Sequence, residues 1–264
     1  MTRPIHCLAV LALACGLPLD AGDDRGCPGS PSAPAVNEGV RAFKQQRYGE
    51  AVARFRTAVE LDGACIAARL YLATAYMQQY MPGADSPDNQ QFADSAREQF
   101  QAVLEREPDN ELALASMASL FFNQKKLDDA AIWYKRLILI NPQNKEAFYF
   151  LAVIAWSRAF KPLTEARQKL GMKPDDPGPL KDEEVRQALR AKNLTPVQEG
   201  LDNLDQAVAL DAGYDDAMAY LNLLWRVKAD LEDSPEDYRA DIARADGWVQ
   251  RAIETRKARQ ERQQ

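Results

Sequence analysis

The sequence predicts an all-α chain of repeated helix–turn–helix pairs, and three observations carry that prediction. Pro108 and Pro142 stand 34 residues apart and close segments that repeat one another. A small, a large and an apolar residue recur at one spacing in four places: Ala51, Phe55, Ala58; Ala96, Phe100, Val103; Ala130, Tyr134, Leu137; and Gly200, Leu204, Ala207. A further set keeps the 34-residue separation, Gly39 with Ala73 and Ala118 with Ala152. Steps of four and three put each triple on one helix face. A fixed period of this length marks a stacked array, in which each unit buries its apolar face only against its neighbours.

In chain order, residues 1–21 read as a secretory signal: Arg3 near the start, an apolar run from Cys7 to Leu19, then Asp20. The run is too short for a comfortable membrane span. A lipoprotein-type signal is the alternative, with Ala12-Leu13-Ala14 before a lipid-accepting Cys15 and Ala12 where such signals usually carry Leu. Residues 22–35 are dense in Gly, Pro, Ser and Ala and read as a flexible linker. Cys27 in that linker and Cys65 beyond it either pair in an oxidising compartment or stay free, because two cysteines alone set no framework.

Residues 36–255 hold about five helix pairs. The segment Glu111–Asn144 follows the template without a gap, whereas the second, fourth and fifth pairs carry insertions. Ala96 follows Ala73 by 23 residues, Gly200 follows Ala152 by 48, and Ala245 follows Asn222 by 23, against 12 from Ala118 to Ala130. Long insertions in compact domains are usually functional or disordered. The largest, at about 158–195, reads as two helical stretches broken by Pro174, Pro177 and Pro179. Asp182, Glu183 and Glu184 suit a helix start there, by the sign of the helix dipole. Residues 256–264 form a polar tail.

These small, aromatic and proline signposts at a 34-residue period resemble the tetratricopeptide repeat family, of an exported bacterial type. The resemblance implies a right-handed superhelix of helix pairs whose first helices line a concave groove for a protein or peptide partner. It places Val40, Phe43 and Lys44 in the groove from the first pair, and Leu70, Thr74, Met77 and Gln78 from the second. Ala115, Ser119, Phe122 and Asn123 follow from the third, and Tyr149, Val153 and Trp156 from the fourth. This surface is apolar and aromatic. Lys44 is its one basic residue, unlike the carboxylate-holding members that bind chaperone tails.

Composition narrows the chemistry. The formal charge of −6, with basic and acidic residues interleaved, argues against nucleic acid as a partner. The one histidine, His6, lies in the signal, so the processed chain has none for a Ser-His-Asp or Cys-His mechanism. The expectation is a non-enzymatic adaptor, without cofactor or metal, that binds an apolar peptide or partner helix in envelope assembly. A self-associating structural subunit of an envelope complex is the alternative. The location expected is the periplasm, or the cell envelope through a lipid on Cys15.

Overall fold

The computed structural model describes residues 27–262, so the signal and Cys15 lie outside the described residues. Within them every regular element is a helix. The chain divides into two compact units, one ending at Ala130 and the other beginning at Ala131.

The first unit holds α1 (Ala33–Lys44), α2 (Tyr48–Leu61), α3 (Ile66–Met77), α4 (Pro87–Leu104), α5 (Glu111–Asn123) and the start of α6 (Leu127–Ile140). From α1 to α5 each helix packs on the next. The repeated triples form the core: Ala51, Phe55, Ala58, Ala96, Phe100 and Val103 are fully buried. Small residues permit this closeness. A Cβ on Gly39 would overlap the Phe55 ring, so only glycine fits there.

Residues at one phase of the repeat cap the helices that follow. Asn110, two residues after Pro108, accepts the Ala113 N–H at 3.0 Å. Cys65 holds the same phase, two after Gly63, and its Sγ accepts the Ala68 N–H at 3.3 Å. That sulfur also bonds Cys27, with the Cα atoms 5.8 Å apart. Ser30 adds a hydroxyl bond to Asp62 at 2.6 Å. The stretch from Cys27, read from sequence as part of a linker, is therefore fastened to the repeats, and α1 already begins at Ala33. The first insertion is a compact loop before α4. Buried Asn89 closes it by donating to the carbonyls of Met81 and Ala84 and accepting the Met81 N–H at 2.7 Å.

The second unit holds the rest of α6, then α7 (Lys145–Lys169), α8 (Glu183–Leu210), α9 (Asp215–Asp230) and α10 (Pro235–Arg262). Helix α7 packs on α8 and α9, α8 on α9, and α9 on α10. The second and third insertions mostly lengthen helices. Asp182 caps α8 by accepting the Val185 N–H at 2.9 Å, where the acidic run predicts a helix start. Aromatic rings fill the interior: Tyr134 stacks on Phe150, and Tyr149 meets Phe150, Tyr214 and Tyr220. The start of the polar tail continues α10, and there Arg256 and Arg259 reach back to Asp215 at the start of α9.

Candidate functional site

The expected groove residues divide by burial. Phe43, Leu70, Met77, Phe122 and Trp156 are half-buried, as are Val40, Ala115 and Asn123, and Lys44 and Gln78 are exposed. Thr74, Ser119, Tyr149 and Val153 are buried. They support the surface from beneath; Thr74, for instance, turns its hydroxyl back to the Leu70 carbonyl at 2.8 Å.

In the second unit Trp156 opens onto a cavity of about 550 Å³. The regular pattern ends the first helix of a pair near Ser157, the counterpart of Asn123. Helix α7 instead runs on to Lys169 and carries Phe160, Leu163 and Arg167 along the face that Trp156 begins. Helix α9 supplies Leu223, Val227 and Asp230 at steps of four and three, and α10 supplies Tyr238 and Ile242. The loop after α7 adds Met172 and Pro174. Trp156 stacks on Phe160 at 4.7 Å, and Phe160 remains 44% exposed.

One ion pair crosses this apolar space. Arg167 meets the Asp230 carboxylate at 2.6 Å, with the two side chains 13% and 11% exposed. Its other nitrogen donates to the carbonyls of Lys173 at 2.9 Å and Asp176 at 2.6 Å. Burial pushes the Asp230 carboxyl above the usual carboxylate range, against the pull of Arg167. The Leu180 N–H bonds the Asp230 carbonyl at 3.1 Å, and Leu180 is fully buried. Close approach here again needs glycine: a Cβ on Gly178 would lie 2.6 Å from the Tyr238 ring. The insertion thus walls the cavity and leaves it open.

Beside it, Lys228 bridges Glu232 and Asp241, which in turn hold Arg190 and Arg244. Burial pulls the Lys228 ammonium down, but Asp241 and Glu232 outweigh it and hold it above the usual lysine range. The side chains of Lys228 and Arg244 also lie against the Trp225 ring. Among the described residues no group of His, Cys, Asp and Glu is arranged to hold a metal ion. Among them, too, no helix is long and apolar enough to cross a membrane.

Sequence reasoning found Trp156 but missed Phe160, Leu163, Arg167, Leu223, Val227 and Asp230. A signal was present. The apolar phase of α7 continues from Trp156 through Phe160 and Leu163, past the point where the repeat template stops.

Solved structures similar to this chain share its fold. A MamA protein matches at a TM-score of 0.61 with 12% identity, over 87% of this chain and 94% of that one. MamA 41-end from Desulfovibrio magneticus RS-1 matches at 0.57 with 13% identity, over 89% and 97%. YrrB, described as a TPR protein with an unusual peptide-binding site, matches at 0.53 with 13% identity, over 85% and 91%. No curated protein sequence matches the chain. The tetratricopeptide repeat model matches residues 36–79 and 84–145. With that match, and with helix pairs that keep the repeat's phase, residues 36–145 of this chain form tetratricopeptide repeats.

Proposed function

We propose that this chain is a protein–protein interaction adaptor that holds an apolar segment of its partner and catalyses nothing itself. The observation that carries this reading is the open apolar cavity between α7 and α9, with Phe160 exposed at its edge. Concave sites with apolar walls and few polar groups are where ligands settle. The peptide-binding description of YrrB supports the reading by fold analogy. The one buried carboxylate lining the cavity, Asp230, is engaged by Arg167, which argues for a structural role over proton transfer.

We place the adaptor in an exported compartment, in assembly of the cell envelope. The Cys27–Cys65 bridge supports export, because disulfides persist in oxidising surroundings. The apolar run at Cys7–Leu19 and the lipid-accepting option at Cys15 belong to the same reading.

The test is capture of a partner from the cell envelope by the immobilised chain. A dominant heterologous protein held by the wild type should be lost when Phe160→Ala is combined with Trp156→Ala, at unchanged helical content. Its retention by the double variant sinks the adaptor reading. Self-association is the second reading, favoured by Ile132 and Leu139, which lie seven residues apart on α6 and are 58% and 79% exposed. Sedimentation of the purified chain at rising concentration separates the two. Assembly that Leu139→Lys abolishes would favour the subunit.

A further inference from the structure

The charged groups around the cavity have their own engagements. Arg167 is shared among Asp230 and the carbonyls of Lys173 and Asp176. The Asp176 carboxylate accepts the Lys173 N–H of its own loop at 2.8 Å. Arg226 is exposed and bonds Asn222 and Asp246. Lys173 is an exposed residue at the cavity's edge. An ionised group moving in between Trp156, Leu163 and Val227 would shed its hydration and find no unspent counter-ion at depth. An uncharged apolar group would lose nothing comparable and would bury surface against rings and branched side chains.

Resting on the adaptor reading, we propose that the cavity accepts an uncharged, bulky apolar anchor from the partner, and that Arg167 enforces this choice. Arg167 does so twice over. It neutralises Asp230, which would otherwise stand as a lone carboxylate inside the cavity. It also fixes residues 173–176, so the loop wall keeps its place. Arg167 is therefore a positioning and specificity residue that need not touch the anchor.

Two dyes with one ring skeleton test this on the whole chain. N-phenyl-1-naphthylamine is neutral, and 8-anilino-1-naphthalenesulfonate adds one negative charge. Titrated with emission as the readout, the neutral dye should bind at least about tenfold more tightly. Equal or tighter binding of the anion overturns the proposal. Asp230→Asn leaves the Arg167 charge uncompensated, so the anion should gain about tenfold. No gain, in a variant with wild-type helical content, overturns the part given to Arg167. If Asp230→Asn does not fold, the wild-type dye comparison still decides. Phe160→Ser locates the dye, because this exposed side chain borders the cavity; an unchanged neutral-dye affinity overturns the assignment to this site. Failure of both dyes to bind at all counts instead against the cavity as a site, and with it the adaptor reading.

Discussion

Up to Ala130 most helices are short, with α4 the longest at 18 residues, and beyond it most are long, with α9 the exception at 16, and the two regions are held by different forces. Helices α1, α2, α3 and α5 have 12, 14, 12 and 13 residues, whereas α7, α8 and α10 have 25, 28 and 28. The short pairs meet through Gly, Ala and Phe at template positions, with a disulfide fastening the start. The long helices project past the template, where no neighbouring repeat waits to cover them. Their extra length is covered by the 170–182 loop and by ion pairs among α7, α8, α9 and α10. Regular repeats thus give a spine, and the departure from regularity gives a cavity.

The largest effect that would sharpen this contrast is loss of the bridge. Cys65→Ser keeps an oxygen able to cap α3 but breaks the link to Cys27, 38 residues away. Chain entropy puts the loss at about 4 kcal/mol. Hydrogen exchange should quicken in peptides before Ala130 and stay unchanged in those from α8 to α10. No change before Ala130 would show that the repeats hold without it.

Next is the ion network. Lys228→Met strands Asp241 and Glu232 with one arginine each, at about 3 kcal/mol. Exchange should quicken in α9 and α10 and leave α1–α4 untouched, the converse of the cysteine variant.

Acid should also act mainly on the second unit. Burial pushes the Asp215 carboxyl up, yet Arg256 and Arg259 hold it below the usual carboxylate range. Glu232 is likewise pushed up by burial and held low by Lys228 and Arg190. Lys145 and the Gly213 N–H hold Asp211 low. Groups held low contribute stability above their unfolded pKa and lose it as pH falls through the folded value. Melting followed from pH 7 downward should show that loss beginning below about pH 4. Asp230, held high, acts in the opposite sense, and its ionisation costs stability as pH rises. A flat acid limb would mean the pairs contribute little.

The smallest effect belongs to the turns. Gln46 and Lys125 occupy the same phase of the repeat at φ of 59° and 61°, a left-handed conformation that side chains resist. Gln46→Gly and Lys125→Gly should each stabilise by up to about 1 kcal/mol, read as a rise in melting temperature. A fall would show that the side chains, not the backbone, govern those turns.

How far the sequence disclosed this molecule follows the same division. Phe55, Phe100 and Tyr134 recur at a fixed phase because each fills an equivalent space, so periodicity revealed them and their burial. Trp156 was legible for that reason. Arg167 and Asp230 were not, because they lie 63 residues apart and outside the template, and only folding brings them together. Asn89 escaped for another reason: its worth lies in backbone groups of Met81 and Ala84, which no side-chain pattern records. The disulfide stood between, with both cysteines visible and only their distance unknown.

The loop at 171–176 stands apart from the spine in one practical respect. It rests on Arg167, Met172 and the turn leading to Leu180, and none of the small–large–apolar triples depends on it. Replacing those six residues would reshape one wall of the cavity while sparing the scaffold, so the contour of that wall is a detachable fitting that can be recut without disturbing the repeats.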